Sequence, residues 1–129
     1  IGSDNSKVFI EHLKKNNPDG TFIELDAITL DTDMKFDGIY SNKVLHHLKD
    51  SELEQSVRKQ HKILNLGGII CHSFWKGEGS ENFKGMYVNY QTEETLKDLY
   101  LGYFDIIYSD SYKEFEESDS LLIIGKKRN

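Results

Sequence analysis

With 129 residues, 37% of them hydrophobic and 12% aromatic, the chain can build one domain with a real core but not two. Acids outnumber bases by 22 to 16, a net charge of −6, which disfavours nucleic acid as an obligate partner. No apolar run approaches the roughly 18–20 residues that cross a bilayer, and no basic-then-apolar signal peptide opens the chain, so no membrane partner is expected. Cys71 is the single cysteine, which rules out an intrachain disulfide and suits a reducing compartment such as the cytoplasm. Its surroundings, Gly68 to Trp75, read as a buried strand, so a packed thiol is expected rather than a nucleophile or ligand.

In chain order, Ser6 to Lys15 carries apolar Val8, Phe9, Ile10 and Leu13 among charges, the pattern of a short amphipathic helix. Pro18-Asp19-Gly20 is a turn, and Thr21 to Leu25 a strand. A second strand is expected over Phe36 to Ser41. Ser51 and Glu54 have the spacing of a capping box, Leu53, Val57, Gln60 and Leu64 fall near one helical face, and Gly67-Gly68 supplies the residue type that ends helices. The strand around Cys71 follows, giving a βαβ unit with parallel strands. From Lys76 to Tyr90 the pattern is irregular, with Gly77, Gly79 and Gly85, and reads either as a binding loop or as a solvated surface loop. Thr92 caps a helix to Leu101 that turns Leu96, Leu99 and Tyr100 inward. The strands Phe104 to Tyr108 and Leu121 to Gly125 then pair across an acidic connection, and Lys126-Lys127-Arg128 is a charged end. The order specifies an α/β fold with a mostly parallel sheet and a C-terminal antiparallel pair.

Several segments together resemble one known family. Phe36-Asp37-Gly38-Ile39-Tyr40-Ser41-Asn42-Lys43-Val44-Leu45-His46-His47-Leu48 resembles the fourth strand and following loop of class I S-adenosylmethionine-dependent methyltransferases. Sixteen residues beyond Leu48, Leu64-Asn65-Leu66-Gly67-Gly68 is similar to the family's L-x-P-G-G turn, with Leu66 where proline is usual. Tyr90-Gln91-Thr92-Glu93-Glu94 and Gly102-Tyr103-Phe104-Asp105 resemble the last helix and the start of the sixth strand. Gly2-Ser3-Asp4-Asn5-Ser6 is similar to the end of the second strand, and Leu25-Asp26-Ala27 to the acidic-alanine step after the third.

The resemblance covers nearly the whole chain and implies a single, partial Rossmann-like methyltransferase domain over residues 1–129 with S-adenosylmethionine as cofactor. It implies that Asp4, with Asn5 beside it, meets the ribose hydroxyls, that Asp26 accepts from the adenine amino group, and that the Ala27 and Ile28 backbone reads the ring edge. Ser41 and Asn42 would meet the cofactor at the carboxyl end of their strand. From the residues alone, Asp4 reads as a helix cap and Asp26 as a turn residue. His46 and His47 are candidate bases, with packing or positioning as the alternative. Lys43, Lys76 and Tyr90 are weaker candidates for substrate contact. His46, His47 and His72 could suggest zinc, but no metal site is expected, because adjacent histidines on a turn should point apart and no Cys or carboxylate pairs with them. The step after Asn42 is not the N/D-P-P-Y/F of amino-group methylation of nucleic acid or protein, so a small-molecule acceptor is expected.

The family's first strand and its glycine-rich loop have no counterpart in these residues, so the domain reads as truncated at its N-terminal side. That strand sits between the second and the fourth, so two open sheet edges are expected, and with them a route to a homodimer. The backbone donors that meet the cofactor's methionine carboxylate belong to that loop, so the 129 residues alone are expected to bind the cofactor weakly or not at all and to be inactive. The alternative is a non-catalytic remnant or interaction domain with methyltransferase topology.

Overall fold

The computed structural model describes residues 2–4, 7–16, 21–24, 26–83 and 85–128. The expected turn at 18–20 lies outside them, as do Asn5, Ser6 and Leu25. In order, the chain forms β1 (Gly2–Asp4), α1 (Lys7–Asn16), β2 (Phe22–Glu24), β3 (Phe36–Asn42), a 3₁₀ turn (Leu45–His47) and α2 (Asp50–Ile63). There follow β4 (Leu64–Trp75), β5 (Ser80–Phe83), β6 (Met86–Asn89), α3 (Glu93–Leu101), β7 (Phe104–Tyr112) and β8 (Ser120–Lys127).

The principal sheet has the order β3-β4-β8-β7. β3 and β4 are parallel, and β8 runs antiparallel to both β4 and β7. All these strands except β8 therefore share one direction, the expected mostly parallel sheet closed by an antiparallel pair. β1 and β2 form a separate parallel pair. Among the described residues no ladder joins β1 to β3, so the sheet falls into two pieces at that point.

The core lies between the sheet and the helices α2 and α3. Leu53 and Val57 on α2, Leu96 and Tyr100 on α3, and Ile70, Phe74, Leu121 and Ile123 on the sheet are buried together. Leu64 is buried as well, and Ile39, Leu99 and Ile106 pack against this cluster while partly exposed. Cys71 is only half-buried, because β4 alternates and Ile70, His72 and Phe74 take the side facing α2.

Four local expectations are corrected. The α2 cap is two residues earlier than Ser51: the Lys49 backbone N–H donates to Glu52 Oε1 at 2.9 Å. Gly67-Gly68 does not end the helix, which passes directly into β4 at Leu64. The two glycines instead form an irregularity inside β4, where pairing shifts from Phe36↔Leu64 to Gly38↔Ile69. Gly67 needs its positive φ of 78° there, and a Cβ on Gly68 would lie 2.9 Å from the Asn65 carbonyl oxygen. The stretch after β4 is an ordered hairpin, β5–β6, rather than an irregular loop. Finally, the basic end is built in: Lys127 Nζ donates to the Leu64 carbonyl at 2.7 Å, and Arg128 pairs with Asp105 at 2.8 Å.

Burial separates two leucines that a hydropathy plot scores alike. Leu53 is 1% exposed and Leu66 75% exposed. Urea unfolding should show Leu53→Ala losing about 2–5 kcal/mol and Leu66→Ala changing stability by no more than about 0.5 kcal/mol.

Candidate functional site

The carboxyl end of β3 is pinned to its neighbour. Parallel register places Ser41 opposite His72 and Asn42 opposite Ser73. Ser73 Oγ donates to Asn42 Oδ1 at 2.5 Å and accepts from the Lys43 backbone N–H at 3.1 Å. Lys43 itself is left-handed, φ 55°, which a side chain with a Cβ adopts only at a cost. Its ammonium supplies compensating contacts: it pairs with Glu114, donates to Ser120 Oγ at 2.8 Å, and lies 3.4 Å from the centroid of the Trp75 ring. Lys43 is therefore occupied in holding the 113–119 loop rather than presented to a substrate.

That loop is organised by one carboxylate. Asp119 accepts from the backbone N–H groups of Glu114, Phe115 and Glu116 and from Ser120 Oγ. These bonds hold its carboxyl well below the usual carboxylate range. Phe115 closes the loop by stacking on Trp75. The acidic stretch is a fastened connection, and among the described residues no His, Cys, Asp and Glu cluster could hold a metal ion.

Between β1 and β3 lies a cavity of about 500 Å³. Ser3, Ala27, Leu30, Ser41, Asn42, Val44 and His47 line it, and α2 contributes Ser56 and Gln60. Four hydrogen bonds run through its wall. Ser41 Oγ is 2.6 Å from His72 Nδ1, and His72 Nε2 is 2.9 Å from Gln60 Oε1. Gln60 Nε2 donates to Ser56 Oγ at 3.1 Å, and Ser56 Oγ donates to the Ala27 carbonyl at 2.6 Å. Across the cavity Asp26 Oδ1 accepts from the Ile28 backbone N–H at 2.7 Å, and its carbonyl accepts from the Leu30 N–H at 2.8 Å. Asp26 thus shapes the 26–30 turn with one carboxylate oxygen.

The histidines differ sharply. His46 is buried and its Nδ1 has no hydrogen-bond partner among the described residues. Burial, then the neighbouring His47 and Lys43 charges, bring its pKa down to about 4. His72 is fully buried, and desolvation brings it to about 3. His47 is exposed and Nδ1–H donates to the Tyr87 carbonyl at 3.0 Å, which leaves Nε2 as the acceptor. The two neighbouring rings do not point apart: their centroids are 3.9 Å apart.

Of the residues singled out in the sequence, Ala27, Ser41, Asn42 and His47 line this cavity together. Ile28 and Asp26 stand behind the same turn, Lys43 faces away toward Glu114, and His46 is packed beneath. The Asp4 side chain and Asn5 lie outside the described residues. Tyr90 lines a second cavity of about 600 Å³ between α2, α3 and the β5–β6 hairpin, where its hydroxyl bonds to Glu81. Lys76 is exposed, and its backbone N–H donates to the Asp119 carbonyl at 2.8 Å. The sequence offers Gln60 only as part of a helical face and His72 only as a third histidine that makes no zinc site, and it offers no role for Ser56. The signal for Gln60 and Ser56 was a pair of polar residues four apart on the buried face of α2, and for His72 its place between Ile70 and Phe74 on the inward side of a strand.

A family model described as a methyltransferase domain matches residues 1–68, more than half of the chain. The chain belongs to the methyltransferase-domain family. Its fold is that of the class I S-adenosylmethionine-dependent methyltransferases. It is 30% identical over 111 residues to an uncharacterized methyltransferase of Oceanobacillus iheyensis, covering 83% of this chain and 52% of the relative. The domain thus spans about half the length of that relative. Among solved structures, an S-adenosylmethionine-dependent methyltransferase from Mesorhizobium loti superposes with a TM-score of 0.83 at 19% identity, over 98% of this chain and 79% of the other. The N-methyltransferase NodS of Bradyrhizobium japonicum, solved with S-adenosylhomocysteine, gives 0.74 at 15% identity, over 98% and 65%. The 1,6-didemethyltoxoflavin-N1-methyltransferase of Burkholderia thailandensis gives 0.75 at 18%, over 95% and 57%.

Two measurements follow for the methyltransferase domain. Unfolded, each histidine titrates near its ordinary 6.5, whereas folded His46 and His72 titrate near 4 and 3. Between those values only the unfolded chain takes up protons, so stability is complete above pH 6.5 and falls as pH drops. The slope is up to about 1.4 kcal/mol per pH unit for each group. His46→Phe removes one of them, and unfolding free energies measured from pH 6.5 to 4 should show a flatter decline. Lys43→Met keeps the stem but drops the ammonium. It should cost about 1–3 kcal/mol, with faster amide exchange at residues 114–119.

Proposed function

We propose that this domain serves an enzyme that moves the methyl group of S-adenosylmethionine to a small-molecule acceptor, with the cofactor in the cavity between β1 and β3. The observation that carries the reading is the position of that cavity. β1 pairs with β2 in one ladder and β3 with β4 in another, and residues of both, Ser3 on β1 and Ser41 and Asn42 on β3, line the cavity. Ligands of open α/β sheets bind outside the carboxyl ends of the strands. Ser41 and Asn42 end β3 there, and Ala27 and Leu30 face them across the gap. The S-adenosylhomocysteine in the NodS and Burkholderia thailandensis structures supports the choice of cofactor.

In this reading Asp4 and Asn5 address the ribose, and the carboxylate of Asp26 takes the adenine amino group. The Ile28 N–H is already given to Asp26, so the ring edge is left to the remaining backbone groups of Ala27 and Ile28. Methyl transfer from a sulfonium is chiefly a matter of alignment, and a base serves only an acceptor that must lose a proton. His47 suits that role better than His46, since its Nε2 is free beside the cavity while the His46 imidazole is a weak base at pH 7. The acidic balance and the sequence after Asn42 support a small acceptor rather than nucleic acid, and the open edges of β1 and β3 support self-association of this 129-residue stretch in isolation.

Calorimetry with S-adenosylmethionine tests the assignment. With a first strand and glycine-rich loop supplied ahead of Ile1, the domain should bind, and Asp4→Ala should then weaken binding by about 1–3 kcal/mol. These 129 residues alone should bind at least about 100-fold more weakly, since two charge-assisted hydrogen bonds to the methionine carboxylate are expected from a glycine-rich loop they do not contain. No binding by a folded full-length protein would return the domain to the non-catalytic reading.

A further inference from the structure

The hydrogen-bond chain in the cavity wall has a direction, and one backbone atom sets it. The Ala27 carbonyl can only accept, so Ser56 spends its single proton there. The Ser56 lone pairs must then receive from the Gln60 amide, which fixes Nε2 toward Ser56 and turns Oε1 toward His72. His72 Nε2 must therefore carry the proton. A neutral imidazole has only one, which leaves Nδ1 bare to accept from the Ser41 hydroxyl. No step depends on telling oxygen from nitrogen in the amide, because the carbonyl decides the orientation of each link.

The links join three parts of the fold. Ser41 ends β3, His72 stands opposite it on β4, Gln60 and Ser56 lie one turn apart on α2, and Ala27 begins the turn after β2. Gln60, His72 and Ser56 are each at most 1% exposed, so water does not compete for their bonds. Full burial also keeps the imidazole neutral, with its pKa near 3.

We propose that His72 is a positioning residue: held as the Nε2–H tautomer by Gln60 and Ser56, it makes Ser41 a pure hydrogen-bond acceptor toward the cavity. The Ser41 proton is already directed to the imidazole, and only lone pairs face whatever lies between Ser41 and Ala27. The wall at that point takes an N–H or O–H donor from the ligand and rejects a carbonyl or carboxylate oxygen. Its consequence for the cofactor rests on the reading above; the tautomer does not.

Long-range proton–nitrogen correlation on histidine-labelled full-length protein reads the tautomer directly. His72 should show an unprotonated Nδ1 and a protonated Nε2, and an Nδ1–H form or an average of the two overturns the proposal. Gln60→Glu then reverses the chain with little change in volume. The new carboxylate cannot donate to Ser56 and draws a second proton onto His72, whose Nδ1–H now donates to Ser41. Both His72 nitrogens should be protonated in this variant, and S-adenosylhomocysteine should bind at least about tenfold more weakly. A folded Gln60→Glu protein that binds like the wild type overturns the positioning role. Should that variant not fold, Ser56→Ala frees the Gln60 amide to rotate, and a mixture of His72 tautomers is expected; a single unchanged tautomer counts against the proposal. A wild-type protein that ignores S-adenosylhomocysteine removes the cofactor assignment, while the tautomer measurement still supports or overturns the directed chain.

Discussion

The site depends on the register of β4. This strand is hydrogen-bonded to β3 on one side and β8 on the other, and alternate residues face α2. Ile70 and Phe74 enter the core on that side and carry His72 between them. A slip of one residue would send all three to the opposite face and bring Cys71 and Ser73 inward. The irregularity at Gly67-Gly68 takes up the extra length of β4 before that register begins, so two glycines remote from the cavity set which side the imidazole faces. The apolar neighbours hold the parity, and the polar residue is carried to its place by them.

Burial then determines the chemistry. A polar side chain in the core needs partners, and His72 finds them at Ser41 and Gln60. The result is a rigid wall to the cavity without a buried charge, which would be far more costly to maintain. His46 is the contrast: buried, with an Nδ1 that has no hydrogen-bond partner among the described residues, it contributes shape and an acid-side weakness.

Much of the fold was legible in the sequence, for identifiable reasons. α2 and α3 showed their inward faces through residues spaced at three and four, and β7 and β8 through apolar runs on both sides of an acidic connection. The β5–β6 hairpin was hidden because Ser80, Glu81 and Asn82 have no alternating apolar pattern, and the nearby glycines suggest a loop. Gly67-Gly68 reads as a helix end in one dimension, whereas the partner strand makes it an irregularity in the sheet. The site was legible in part. Ala27, Ser41 and Asn42 followed from likeness to a family and His47 from its residue type just past β3, and the four meet around one cavity, whereas the partnerships of Ser56, Gln60 and His72 reach up to 31 residues away. No local pattern encodes such a pairing, although polar residues on otherwise apolar faces mark where to look.

Lys43 ties distant stretches together in another way. Its backbone belongs to the passage from β3 into α2, and its ammonium is held 71 residues later by Glu114. Trp75, at the end of β4, lies under that ammonium and against Phe115. Three loops that would otherwise sway separately at the strand ends are thereby joined into one stiff rim. Across the cavity, Ser56 holds the 26–30 turn to α2 in the same manner, by a hydrogen bond to the Ala27 carbonyl.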